Sequence, residues 1–486
     1  MFLTGLLALG CAGETARPQL SARRIATAPQ PPRAVASAVE ADEPSAAAAL
    51  PHYWVDASNL ERLQVRATFP PGSAGSLRVA DGNQAFVSNV REQAAGLEQP
   101  LVPDSAGFTL QGCGAGCQVS YSFALHEAAE QLRDPETVEQ LGAAFVSPSS
   151  SWLLGLAERH GYALEVQTAA PNVFLSAFPA LAGGRLGASV TSPSSTIYAP
   201  FAGLGAWRTR TLHVSDAEIT VGIAGAGYAT TEDELAQWLE QTWTPLATYY
   251  EGLGRLQPLI LVVPGEGRIH GVTLGNGGSS VLLHVGPEVT GPDALDSWVP
   301  THEFIHVLFP SVTPRLPWIE EGLATYVEPI VRARAGHVSA EQFWRDLARG
   351  LPRGLPQPGD RGLDNTRTWG RTYWGGALYW LLVDLRLRER TQNQRSVNDA
   401  LRSILHAGGN VSADWPLDRI LSVADAATQG SEFRDTYAQM GQAPWAPDLR
   451  RLFSDLGVSV KGERVTFNDS ARLANVRASI TAGPNH

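Results

Sequence analysis

Two segments, Thr301-His302-Glu303-Phe304-Ile305-His306 and Trp318-Ile319-Glu320-Glu321-Gly322-Leu323-Ala324, constrain this chain more tightly than anything else in it. His302 and His306 are four apart, so on a helix both imidazoles leave one face, a turn from each other. That spacing suits two nitrogen ligands of a tetrahedral Zn²⁺ at ~2.0–2.1 Å. Glu303 follows the first ligand and reaches a metal-bound water without being a ligand, which is the position of a general base. Downstream, Pro317 suits the first turn of a new helix, where its missing N–H costs nothing. Ile319, Leu323, Tyr326, Val327 and Ile330 then supply an apolar stripe at helical spacing. A carboxylate from this second helix completes the ligand set and leaves a fourth position open. Glu321 lies fifteen residues beyond His306, and Glu328 lies two turns further on the same side. The fold must therefore bring two helices face to face over one cation. Phe304, Ile305, Leu308 and Phe309 bury the first of them, and buried imidazoles and acids need partners.

A chain of 486 residues is too long for one ordinary core, and two or three domains are expected. A hydrophobic fraction of 44% is that of a globular protein. The net charge of −11 argues against nucleic-acid binding, since no block could neutralise many phosphates. Met1 to Leu9 is apolar, and Ala8-Leu9-Gly10-Cys11 resembles a lipobox, so residues 1–11 read as a lipoprotein signal with Cys11 as the lipidated residue. Residues 12–50, rich in Ala, Pro, Glu and Ser, read as a disordered linker. The expected location is the bacterial cell envelope, outer membrane or periplasm, anchored by lipid; secretion is the alternative. Cys113 and Cys117 flank Gly114-Ala115-Gly116. In an extended strand their Cα atoms would lie ~13 Å apart, too far for a bridge needing ~5.5 Å. The two glycines permit the tight turn that closes the gap, and export favours a disulfide.

Residues 51–212 alternate as strands do, for example over Leu63–Phe69 and Gln118–Phe123, and predict an antiparallel β domain with one helix near 150–160. From residue 213 the pattern changes to a strand over Glu218–Ala224 and a long helix. That helix opens on a capping-box-like start at Thr230-Thr231-Glu232-Asp233-Glu234 and ends near Gly252 or Gly254. A buried strand over Leu259–Val263 and another over Ser279–Val285 precede the metal helix, whose first turn takes Pro300. Residues 213–348 thus form an α/β unit. Residues 349–486 read as mainly helical, with a short final β pair between Val458 and Phe467. The fold class is multidomain α+β.

The pairing of His302-Glu303-x-x-His306 with Trp318-x-x-Glu321-Gly322-Leu323-Ala324-x-Tyr326 resembles the gluzincins, zinc peptidases whose third ligand is a glutamate. The aminopeptidase N family shares this pattern with a longer spacer. Tyr373-Trp374-Gly375-Gly376-Ala377-Leu378, the run Leu382–Thr391 and Ser396–Leu401 are similar to the glycyl aminopeptidase family. The resemblance covers roughly 215–470 and implies a thermolysin-like catalytic unit that binds Zn²⁺ through His302, His306 and Glu321. Adjacent Glu320 competes, but relatives place the ligand directly before the glycine. The resemblance makes Glu303 general base and proton shuttle, and Tyr373 a phenol that hydrogen-bonds the oxyanion. Glu328 either accepts a hydrogen bond from a ligand histidine or pairs with Arg332. The segment Gly271–Ser280, with Gly277, Gly278 and Ser279, sits where relatives align the substrate backbone on a Gly-rich edge strand; an ordinary loop is the other reading. No glutamate stands there to hold a free amine, so exo- and endopeptidase action both stay open. The implied function is a zinc-dependent peptidase acting on peptide or protein substrates. The alternative is an inactive gluzincin-fold surface lipoprotein serving as a binding module.

Overall fold

Leu259-Ile260-Leu261-Val262-Val263 is apolar without interruption because both of its faces are buried. Ile260 and Val262 enter the large core shared with the helices, while Leu259, Leu261 and Val263 enter a second cluster with Ala144, Val146 and Phe201. The structure, a computed structural model, describes residues 50–483 apart from 81, 106, 133, 135, 157–160, 181–185 and 189–198. The signal, Cys11 and the linker up to residue 49 lie outside the described residues. This strand, Leu259–Pro264, is the middle of a five-stranded mixed sheet. Arg208–Val214 forms one edge, followed by Ala217–Ile223, Leu259–Pro264 and Ser280–Val285; Ile269–Leu274 forms the other edge. The sheet starts at Arg208, so the expected boundary at 212/213 falls inside a strand.

The long helix spans Glu232–Tyr250 and opens on the anticipated capping box. The Glu234 N–H donates to Thr231 Oγ1 at 3.2 Å, and the Thr231 N–H donates to Glu234 Oε2 at 2.7 Å. The metal helix, Val299–Val307, has Pro300 in its first turn. Its Phe304 stacks on Trp243 of the long helix, ring centroids 4.3 Å apart. The carboxylate helix, Pro317–Arg334, starts on Pro317.

A single π-helical turn, Arg371–Gly375, leads into the tyrosine helix, Gly376–Thr391. The carboxylate and tyrosine helices cross at Gly322 and Gly376. A Cβ on Gly322 would overlap the Gly376 backbone, and one on Gly376 would overlap the Trp318 carbonyl. The final hairpin, Val458–Lys461 with Arg464–Phe467, forms as anticipated.

N-terminal to Arg208 the main sheet has seven strands. Leu63–Phe69 alternates buried and exposed along its whole length. The sheet is not wholly antiparallel: His52–Ala57 pairs in parallel with Tyr162–Thr168. Alternation specifies which face is buried, and a connection of this length permits either direction. Where a helix is expected near 150–160, the described residues form one 3₁₀ turn over Ser149–Ser151 and a short strand at Gly155–Leu156, and 157–160 lie outside them. A helix forms instead over Leu125–Leu132, burying Leu125, Ala128 and Ala129 at i, i+3 and i+4 spacing. Cys113 and Cys117 are disulfide-bonded. Among the described residues no helix is long and apolar enough to cross a membrane.

The helix crossing gives a stability prediction. Gly322→Ala should destabilise the fold by roughly 1–3 kcal/mol through overpacking. Gly291→Ala, where a Cβ meets nothing within 4 Å, should leave the calorimetric midpoint unchanged. Equal midpoints for the two variants would remove the tight crossing.

Candidate active site

The metal helix is short and almost entirely buried, with His302 2% and Glu303 6% exposed. Its histidines point at the first turns of the carboxylate helix. Glu321 Oε2 lies 3.2 Å from His302 Nε2 and 3.6 Å from His306 Nε2. Two ligands ~2.0–2.1 Å from a tetrahedral centre stand ~3.3 Å apart, so these separations fit a shared ion. The three groups form a set whose donor atoms all lie within 4.8 Å of one another. Glu320 turns away and accepts the Val312 N–H at 2.9 Å, leaving Glu321 as the acid at the centre.

Glu303 faces the edge strand Ile269–Leu274. Thr273 Oγ1 lies 2.8 Å from Glu303 Oε2 and 3.0 Å from the Glu303 carbonyl, and its proton can go to either. A Cβ on Gly271 would stand 2.6 Å from Glu303 Cγ, so this glycine makes room for the side chain. Gly271 and Thr273 are two apart and share one face of the strand. Sequence reasoning missed Thr273. The only signal was its place two residues after Gly271, which acquires meaning once the strand lies beside the metal helix.

Burial is the largest influence on Glu303 and raises its pKa. His306 and the Thr273 hydrogen bond lower it, the Glu321 charge raises it, and the balance is about 7. For His306 burial acts downward, but Glu321 outweighs it and holds the imidazolium up to about 9. Burial acts upward on Glu321, yet His306 and the hydrogen bonds from both imidazoles hold its carboxyl far below the usual range. The signs are opposite. His306 contributes stability that is full below its ordinary 6.5 and lost as pH rises through about 9. Glu321 contributes above its ordinary 4.5 and loses that contribution as pH falls.

Tyr373 lies in the π turn, its ring nearly parallel to that of His302 with centroids 6.5 Å apart. Trp369 follows at 5.8 Å from Tyr373, and Trp298 meets His302 edge-on at 5.3 Å. Arg371, two residues before Tyr373, pairs with Asp360 at 2.8 Å, both side chains 2% exposed, and ties the π turn to the preceding loop. Glu328 pairs with Arg332 at 3.1 Å. Gly277, Gly278 and Ser279 lie beyond the end of the edge strand, in the turn before Ser280–Val285. There the Gly277 N–H donates to the Ser412 carbonyl, the Ser279 carbonyl accepts from Leu259, and a Cβ on Gly278 would overlap the Ala177 carbonyl. His284 pairs with Glu139 at 2.9 Å, apart from the metal set.

No family model matches the sequence, and no curated protein sequence matches it. Solved structures do match. An aminopeptidase N family protein from Idiomarina loihiensis superposes with TM-score 0.63 at 16% identity, covering 85% of this chain and 79% of that one. An M1 zinc metallopeptidase from Deinococcus radiodurans superposes with TM-score 0.50 at 16% identity, covering 82% and 94%. A glutamate-to-alanine mutant of an M1 zinc metallopeptidase from the same organism, bound to a Tyr-Ser-Ala substrate, gives 0.51 at 15%, with the same coverage. The chain therefore has the mixed α+β fold of the M1 zinc metallopeptidases.

A metal ligand must be unprotonated, so a metal that took His306 as a ligand below about pH 9 would have to displace its proton. Titration calorimetry of the metal-free protein with Zn²⁺ should show proton release at pH 7, seen as a dependence on buffer ionisation enthalpy. Affinity should rise with pH and level off above about 9. Binding at pH 7 with no proton release would contradict the charge state assigned to the pair.

Proposed function

We propose that this chain, built on the M1 fold, is a zinc-dependent peptidase whose metal is held by His302, His306 and Glu321. The observation that carries the reading is the approach of Glu321 Oε2 to both imidazoles, at 3.2 and 3.6 Å. An ion bound there supplies Lewis acidity toward a carbonyl oxygen and makes water a nucleophile near neutral pH. The chain's own groups do the rest. Glu303, balanced near neutrality, accepts the proton of the attacking water and returns it to the leaving amine. Thr273 holds one carboxylate oxygen and leaves the other for the attacking water. Tyr373 offers a neutral phenol to the oxyanion, a bond that strengthens as charge develops and so favours the transition state. The edge strand offers main-chain hydrogen bonds to an extended peptide.

We further infer a lipid-anchored location in the cell envelope. The lipobox-like Ala8–Cys11 supports it. So does the Cys113–Cys117 disulfide, since such bonds persist in oxidising compartments.

Glu303→Gln should keep stoichiometric zinc by metal analysis yet lower peptide hydrolysis by about 10²–10⁴. Chelation should abolish turnover and added zinc restore it; full turnover after chelation would overturn the proposal. A digest of matched free and N-acetylated peptides decides between exo- and endopeptidase action. Thr273→Val should lower kcat by about tenfold, the loss of one hydrogen bond to a charged group, with KM and zinc content unchanged. Thr273→Ser should recover most of that loss. A change confined to KM would mean that Thr273 contacts substrate and does not orient the base.

A further inference from the structure

Away from the metal centre, a cavity of about 680 Å³ opens among the long helix, the last turn of the carboxylate helix and the end of the tyrosine helix. Arg334, which lines it, is thirteen residues beyond Glu321 on one helix. At 1.5 Å per residue that is about 20 Å from the ligand turn. No step of the proposed reaction uses this cavity.

Its chemistry is asymmetric. Two guanidiniums, Arg334 and Arg388, reach it from different helices. Arg388 is only 4% exposed and gives its Nε to Asp384 at 3.0 Å. Among the described residues its two terminal nitrogens meet no acceptor. Asp384 is itself shared, accepting from the Tyr326 hydroxyl at 2.8 Å and the Val397 N–H at 3.0 Å. Arg334 lies over the Tyr249 ring and donates to the carbonyls of Ile480 and Ser479, at 3.0 and 3.5 Å. These partners are neutral, and among the described residues Arg334 has no carboxylate. Glu251 also lines the cavity, but Arg402 pairs with it. Beside the guanidiniums, Asn393 presents a buried Oδ1 with no hydrogen-bond partner.

Arg388 keeps donors open at a cavity it lines, and the buried Asn393 acceptor without a donor is costly as it stands. One kind of ligand answers both: an oxyanion for the guanidinium forks, carrying an O–H or N–H for the amide oxygen. We propose that this cavity is a binding site for a small oxyanion, a phosphate or a carboxylate, held by Arg334 and Arg388 and oriented by Asn393. The site is independent of the peptidase reading.

The test is titration calorimetry of the full chain with inorganic phosphate in one arm and glycolate, a carboxylate that carries a hydroxyl, in the other. The expected result is saturable binding of at least one, and the two arms tell the phosphate from the carboxylate. Arg334→Gln should weaken that binding roughly ten- to a hundredfold, the effect of one charge-assisted contact. Arg334 also supports the carbonyls of residues 479 and 480, so this variant can lose stability. Thr248→Trp fills the cavity from an exposed position, keeps both arginines, and should block binding with an unchanged melting temperature. No binding by the wild type in either arm overturns the proposal. So does binding that Thr248→Trp leaves untouched, because the anion then sits elsewhere.

Discussion

Where the carboxylate helix crosses the tyrosine helix, Gly322 and Gly376 leave no room for a Cβ on either side, so the two backbones touch. Glu321 immediately precedes the first glycine, and Tyr373 stands three residues before the second. One close approach therefore sets the distance between the Glu321 carboxylate and the Tyr373 phenol. Side chains of ordinary size at this crossing would hold the axes ~8–10 Å apart and carry Tyr373 away from the histidines. The π turn over Arg371–Gly375 serves the same end. By widening the helix start it turns Tyr373 toward His302, while the buried Arg371–Asp360 pair ties that turn to the loop before it.

The electrostatics follow from which group each acid touches. Glu303 and Glu321 are both desolvated, which raises a carboxyl pKa. Glu321 contacts two imidazoles and stays ionised, the state that the proposed metal ligation requires. Glu303 contacts a hydroxyl and balances near 7, where a group can both take and return a proton. Two residues of one type thus acquire opposite shifts through partners from different elements, one from the metal helix and one from the edge strand.

Much of the site was legible in the sequence because its signals are local. The i, i+4 histidines, the proline starts and the Thr231–Glu234 box each lie within one turn of helix, and each is where the pattern put it. The choice of Glu321 over Glu320 needed the resemblance, since periodicity does not separate adjacent acids on one turn. What stayed hidden depends on long-range placement. The parallel pairing of His52–Ala57 with Tyr162–Thr168 leaves no trace in either strand's alternation. Thr273 is an ordinary strand residue until the metal helix lies beside it. The glycines after the edge strand fit a substrate-aligning segment and an ordinary loop equally in sequence, because a close approach of backbone looks the same whether the neighbour is a ligand or the protein itself. Here Gly275 and Gly278 admit the carbonyls of Val411 and Ala177.

Those contacts make the edge strand the meeting point of the molecule. Its odd-numbered residues Gly271 and Thr273 address Glu303, while Val272 and Leu274 pack on the other face with Ala177, Phe201 and Leu282. The turn that follows is bonded to Val411 and Ser412 on the C-terminal side, and Ser280 Oγ accepts the Phe201 N–H from the N-terminal side. A strand held from both directions cannot drift along the metal helix without breaking contacts in both halves of the chain. The N-terminal β region is therefore part of what fixes Glu303, even though none of the residues proposed for the metal or for proton transfer comes from it.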